Sequence, residues 1–268
     1  MQRTKSTAKA TLILGMIFLT GVCSSLFVVI DAEYTHLLIN QGQNDTDDDN
    51  NLDTKRIPFI EESRKGILLV ISKGCDGKTC STGTGFIVKP GYVATNAHVI
   101  ECGARCEDIV LKDHKGMMHE ARIEGIATNT GKLEDLAILK ISNSSIAPLK
   151  IGDSSIYEVH HDGEEVITIG FPLLGYASSE DKASVSDRGN ISMFKKDDSV
   201  FVISGMHANA GNSGGPVFHI GTGDVIGIVV SGLRGRVHEK SAPVEGVDYV
   251  IPINRLKTFF AEKIGQDL

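Results

Sequence analysis

Apolar residues fall into three zones along this chain of 268 residues. From Thr11 to Ile30 the stretch TLILGMIFLTGVCSSLFVVI is apolar and carries no charge. Residues 31–57 then turn polar, and the run Gln41-Gly42-Gln43-Asn44-Asp45-Thr46-Asp47-Asp48-Asp49-Asn50-Asn51 has almost nothing to bury. Such a run cannot offset the entropy of ordering, so it reads as a flexible acidic linker. Beyond it, short apolar and β-branched runs are punctuated by Gly, Asn and Asp. The runs predict buried strands at 66–71, 85–88, 92–95, 136–141, 165–169, 200–203 and 225–230. Regular spacing of this kind suits an all-β sandwich or barrel. Only Arg255–Ile264 repeats its apolar residues at helical intervals, which predicts one short C-terminal helix.

The first zone has the length of a membrane span. As a helix, Thr11–Ile30 would extend about 30 Å, the thickness of a bilayer's hydrocarbon core. Arg3, Lys5 and Lys9 precede it, while Asp31 and Glu33 follow. Positive residues stay on the cytoplasmic side. The expected layout is therefore a cytoplasmic N-terminus (1–10), a transmembrane signal anchor (11–30), an acidic linker (31–57) and an exported folded domain (58–268). A cleaved signal peptide, with Val22-Cys23-Ser24 as the processing site, is the alternative. Both place the domain outside the cytoplasmic membrane.

Composition adds two constraints. A formal charge of −7 argues against nucleic acid as a partner, because phosphate binding needs a basic face. Of the five cysteines, four form close pairs in sequence, Cys75/Cys80 and Cys102/Cys106. In an oxidising compartment these make two disulfides, with three connectivities open. A tetrathiolate zinc site is the alternative use of the same four residues.

Three segments carry residues suited to chemistry. His98 follows an apolar strand in Ala94-Thr95-Asn96-Ala97-His98-Val99. Asp135 opens a buried strand in Glu134-Asp135-Leu136-Ala137-Ile138-Leu139. Ser213 lies inside a glycine turn, Gly211-Asn212-Ser213-Gly214-Gly215-Pro216. Alone, each has an ordinary explanation as a core, turn or loop residue. Together they form the set that nucleophilic acyl transfer requires. A serine hydroxyl becomes a nucleophile when an imidazole takes its proton. The imidazole needs a carboxylate to fix its tautomer and stabilise its cation. Flexible glycines let the backbone N–H groups of Gly211 and Ser213 converge on an oxyanion. No metal and no cofactor are needed for this chemistry, and none is expected.

The order His, Asp, Ser, with Thr-Asn-Ala-His-Val, Asp-Leu-Ala-Ile-Leu and Gly-Asn-Ser-Gly-Gly-Pro around them, resembles the trypsin/chymotrypsin superfamily. Within it the chain is most similar to the protease domain of the HtrA (Do-like) group. Gly83-Thr84-Gly85-Phe86-Ile87, Ile151-Gly152-Asp153-Ser154, Ile169-Gly170-Phe171-Pro172, Val225-Ile226-Gly227-Ile228 and Tyr249-Val250-Ile251-Pro252-Ile253-Asn254 extend the match over residues 64–256. The resemblance implies two six-stranded antiparallel β-barrels with the site between them. It also implies serine endopeptidase activity on protein or peptide substrates. HtrA enzymes carry PDZ domains after the protease; no such segment is expected here, nor the regulation by captured peptide tails that goes with it.

The same resemblance assigns finer roles. Val230, Ser231 and Gly232 would pair with the substrate backbone, and His207 would form the base of the primary specificity pocket. A small or medium apolar side chain is then the expected preference, with an acidic one as the alternative when His207 is protonated. Asn212 stands where zymogen-type relatives keep the aspartate that receives a new N-terminus, so activation by that ion pair is not expected. Cys80 and Cys102 bracket His98 as a disulfide does in secreted trypsin-like enzymes, which favours a bridge there beside local pairing. Two other readings remain. A protease-fold binding or chaperone-like module without turnover would usually lack one of the three residues. An α/β-hydrolase esterase would show a Gly-x-Ser-x-Gly elbow and the opposite residue order.

Overall fold

Most strands here are buried on both faces, which is why they read as continuous apolar runs and not as alternation. The computed structural model describes residues 59–268 except 75, 102–107, 130–133, 143–144, 161–162, 174–181 and 233–245. They belong to one unit, Ile57–Leu268. The expected anchor (11–30) and linker (31–57) lie outside the described residues. Among the described residues, no helix is long and apolar enough to cross a membrane.

A short helix α1 (Ile60–Ser63) leads into the first six strands. These are β1 (Ile67–Lys73), β2 (Thr79–Lys89), β3 (Tyr92–Thr95), β4 (Asp108–Lys112), β5 (Met118–Asn129) and β6 (Glu134–Ile141). They close into a barrel in the order β1-β2-β3-β6-β5-β4, every neighbouring pair antiparallel. Helix α2 (Ala97–Ile100) interrupts the passage from β3 to β4.

After α3 (Ser155–Val159), the second set comprises β7 (Glu165–Gly170), β8 (Ser184–Val185), β9 (Gly189–Lys195), β10 (Val200–Ser204), β11 (Pro216–His219), β12 (Val225–Gly232) and β13 (Val247–Pro252). Six of them run β11-β12-β13-β10-β9-β7. Pairing of β7 with β11 closes this ring, and β8 hangs on β7 as a two-residue appendage. The fold is thus the pair of six-stranded antiparallel barrels that the resemblance implies.

Apolar packing explains how the barrels hold together. Leu68, Val70, Ile87, Val93, Ala137 and Leu139 build a cluster within the first set, joined by Val99 and Ile100 of α2. Val166, Phe201, Ile203, Val217, Val229 and Val250 do the same in the second. The residues between them in sequence, such as Phe86, Ile138, Ile167 and Ile228, join a third cluster shared by both barrels.

The C-terminal helix α4 (Ile253–Ile264) seals this shared cluster with Leu256, Phe259 and Phe260. Phe260 meets Tyr92 edge-on, with ring centroids 5.3 Å apart. The helix starts two residues before the expected Arg255, directly after Pro252, and ends at Gly265 in the left-handed conformation (φ 74°). Pro before a helix and Gly after it are the usual punctuation.

Candidate active site

His98 sits on the first turn of α2, immediately after β3 has crossed the first barrel. Strand β3 pairs with β6 in a register that puts Thr95 opposite Ala137. That register carries Asp135, two residues earlier in β6, to the start of α2. Its Oδ1 accepts the His98 backbone N–H at 2.9 Å, and its Oδ2 bonds His98 Nδ1. Asn96 is buried completely and donates from Nδ2 to the Asp135 carbonyl at 2.7 Å. The carboxylate is thus held at its backbone and on both oxygens. With Nδ1 facing a carboxylate, the neutral imidazole carries its proton there and leaves Nε2 free to accept one. The His98 side chain is 48% exposed and that of Asp135 19%, so Nε2 is reachable while the carboxylate is sheltered.

Ser213 lies in the turn between β10 and β11 of the second barrel. The glycines on either side of Asn212-Ser213 have positive φ, Gly211 at 100° and Gly214 at 81°. A Cβ at Gly214 would stand 2.2 Å from Thr95 Oγ1 and 2.3 Å from the Thr84 carbonyl oxygen. One at Gly211 would stand 2.2 Å from the Phe171 carbonyl oxygen. The serine turn therefore packs backbone to backbone against the end of β3, the strand that delivers His98. Thr84 on β2 reinforces the contact, its N–H donating to the Ser213 carbonyl at 2.9 Å.

The backbone of this turn has a definite polarity. Leu173 N–H donates to the Ala210 carbonyl and Gly215 N–H to the Asn212 carbonyl, both at 2.8 Å. A trans peptide points its C=O and N–H in opposite directions. Anchoring these two carbonyls therefore aims the N–H groups of Gly211 and Ser213 the other way. Among the described residues, neither N–H meets an acceptor. Those of Asn212 and Gly214 are both engaged, with Asn209 and Val229.

The Ser213 hydroxyl donates to the Val230 carbonyl at 2.9 Å. Val230 is the extra residue where the β12–β13 register shifts, between Val229 and Ser231. A bulge of this type re-aims a carbonyl out of its ladder. Ser231 and Gly232 continue β12 opposite Tyr249 and Asp248.

His207, also at positive φ (52°), is exposed, with Nδ1 3.3 Å from Asp187 Oδ2. Just behind it, buried Asp248 accepts the Ala208 N–H at 3.2 Å. Burial pushes the Asp248 carboxyl above its ordinary range, against the lowering effect of the Ala208 and His207 N–H groups and the His207 charge. Sequence reasoning missed both carboxylates. Asp248 had a detectable signal, a charge inside the apolar strand β13; Asp187 had none.

Cys80 is disulfide-bonded. Cys75, Cys102 and Cys106 lie outside the described residues, and so does the choice among the expected connectivities.

Known proteins resemble this chain in sequence and in fold. The family model for the trypsin-like peptidase domain matches residues 83–228. A probable periplasmic serine endoprotease, DegP-like, from Hahella chejuensis is 33% identical over 193 residues, covering 69% of this chain and 37% of the relative. Its counterpart from Pseudomonas savastanoi pv. phaseolicola is 34% identical over 179 residues, covering 66% and 33%. The chain thus spans about a third of these relatives' length. Among solved structures, the serine endoprotease from Yersinia pestis superposes with a TM-score of 0.60 at 25% identity, covering 77% of this chain and 65% of that one. The family match spans more than half of the sequence, and the chain belongs to the trypsin-like peptidase domain family, with homology to the DegP/HtrA serine endoproteases.

Proposed function

We propose that this protein is a serine endopeptidase that cleaves protein substrates through Ser213, His98 and Asp135. One observation carries the reading. The Asp135–His98 pair stands just beyond the end of β3 in one barrel, the Ser213 turn of the other barrel packs against that strand end, and the turn offers two backbone N–H groups that have no acceptor among the described residues.

The chemistry follows from these positions. Asp135 keeps the imidazole proton on Nδ1, so Nε2 is the base. The Ser213 hydroxyl leaves the Val230 carbonyl, passes its proton to Nε2 and attacks the scissile carbonyl carbon. The negative charge that develops on the carbonyl oxygen falls to the N–H groups of Gly211 and Ser213. Collapse breaks the C–N bond as His98 returns the proton to the leaving amine. The acyl group stays on Ser213 until water, deprotonated by the same imidazole, releases it. On this reading Val230, Ser231 and Gly232 line up the substrate backbone and His207 forms the pocket base. Asp187 and Asp248 beside His207 weigh against an acidic substrate side chain, so a small or medium apolar one is the preference.

The domain acts outside the cytoplasmic membrane, held there by the apolar segment 11–30. The uncharged stretch with Arg3, Lys5 and Lys9 before it supports this, as does the description of the relatives as periplasmic.

Casein hydrolysis and labelling by a fluorophosphonate test the activity. The wild-type chain hydrolyses and is labelled, Ser213→Ala does neither, and Asp135→Asn loses about 10⁴-fold in kcat because the imidazole adopts the wrong tautomer. A wild-type chain that takes no label would favour the silent binding module, and labelling of Ser213→Ala would mean that the reactive hydroxyl lies elsewhere.

A further inference from the structure

We infer that Thr84 is a positioning residue of the oxyanion site, clamping the Ser213 turn from the opposite barrel. This rests on the endopeptidase reading and extends it to a residue with no part in proton transfer.

Thr84 is fully buried on β2, and all four of its polar functions are committed. Its Oγ1 donates to the Gly211 carbonyl at 2.6 Å and accepts the Phe171 N–H at 3.0 Å. Its backbone N–H donates to the Ser213 carbonyl at 2.9 Å, and its carbonyl accepts Thr95 Oγ1 at 2.8 Å. One residue of the first barrel thus grips the turn at two carbonyls, those of Gly211 and Ser213. It also holds Phe171, at the end of β7, and Thr95, at the end of the strand that delivers His98.

The two gripped carbonyls flank the peptide that presents the Ser213 N–H. That peptide plane is set by its neighbours on either side, and both neighbours are tied to Thr84. Gly211 needs such a restraint because, at φ 100° and without a Cβ, it has little intrinsic preference for one peptide orientation. The hydroxyl is also specific in its chemistry. It has one proton to give and must accept from Phe171 N–H, so only a residue that both donates and accepts at that point completes the clamp. A threonine whose role was limited to filling space would show neither commitment.

The expected consequence is kinetic. Losing one donor of an oxyanion hole costs about 10²–10³ in rate, so a misaimed donor should cost somewhat less. Substrate binding along β12 does not involve Thr84 and should be spared.

Thr84→Val keeps the shape and removes the hydroxyl, whereas Thr84→Ser keeps the hydroxyl and removes the methyl. Measured on the full chain with a peptide substrate, Thr84→Val is expected to lower kcat by about 10–100-fold with KM within about twofold. Its affinity for a peptide aldehyde, which forms the tetrahedral adduct, should fall by the same factor. Thr84→Ser should restore kcat to within about threefold of wild type. If Thr84→Val does not fold, as judged by its melting curve, Thr84→Ala measured in the same way takes its place.

A hydroxyl-free variant that folds and retains wild-type kcat overturns the proposal. So does a Thr84→Ser variant as impaired as the hydroxyl-free one. Ser213→Ala in parallel separates this from the underlying reading: hydrolysis there at a rate near wild type would show that Ser213 is not the nucleophile, whatever Thr84 does.

Discussion

Gly214 and Gly77 share nearly the same backbone conformation, φ 81° and 74°, yet their surroundings could hardly differ more. Around Gly77 there is open space for a Cβ; around Gly214, Thr95 Oγ1 and the Thr84 carbonyl oxygen would lie closer than any real contact allows. Gly77→Ala therefore meets only the left-handed penalty, about 1–2 kcal/mol. Gly214→Ala adds overpacking against backbone that cannot retreat, about 1–3 kcal/mol more. Denaturant titration should show Gly214→Ala as the less stable variant by that margin, with peptidase activity lost as well. Equal stability of the two would mean the serine turn is not wedged against β3. The residue scale is also where the sequence was most informative about chemistry. His98, Asp135 and Ser213 each stood in a short motif with its own chemical logic. Thr84 lay in plain view inside Gly-Thr-Gly, but a hydroxyl's partners are set by the meeting of two barrels, which no local pattern encodes.

At the scale of elements, Asp153 joins two helices that are far apart in sequence. Its Oδ1 accepts the Ser155 N–H at the start of α3 (2.9 Å), the Ser155 hydroxyl (2.8 Å) and Asn254 Nδ2 at the start of α4 (2.7 Å). The Ser155 backbone bond first, then the Asn254 and Ser155 side chains, push its carboxyl down to about 2 from an ordinary 3.8. A carboxyl whose pKa is lower in the folded state stabilises the fold above its unfolded value, and that stabilisation disappears as pH falls toward the folded value. The wild-type chain should thus lose stability between about pH 4 and 2 through this group. In Asp153→Asn that part of the loss should be absent from melting temperatures measured across the same range. A variant curve parallel to wild type would rule out the contribution.

The strands legible in the sequence are ones buried for most of their length on both faces. Runs such as Gly66–Ile71 and Val225–Val230 pointed directly to β1 and β12. Strands β4, β5 and β9 escaped notice because one face is solvated: β4 alternates buried and exposed positions, and β9 exposes Asn190, Ser192 and Met193; strands β8, β11 and β13 were not predicted either. In β5, Met118-His119-Glu120-Ala121-Arg122 resembles no buried run. Its place in the barrel comes from the partners β4 and β6, which supply the hydrogen bonds its own composition does not advertise.

For the molecule as a whole, the catalytic reading lives entirely within Ile57–Leu268, while the proposed anchor precedes it. Asn212, beside the nucleophile, is buried, uncharged and packed toward Gly170, so no new N-terminus is called for there. A chain beginning at Ile57, with or without a short extension before it, should hydrolyse casein at the full-length rate. It should also stay in the supernatant after alkaline washing of membranes, whereas the full-length chain pellets with them. Dependence on a free terminus would contradict the role given to Asn212, and pelleting of the short chain would contradict the anchor.

Pairing of β7 with β11 has a further consequence for a protein proposed to cleave other polypeptides. An unfolded polypeptide is adhesive through its backbone, and an open sheet flank is the surface it would extend, strand upon strand, toward fibrils. Among the described residues both sheets are rings, and the overhanging piece, β8, is two residues long. A polypeptide substrate therefore finds almost no ladder to continue there.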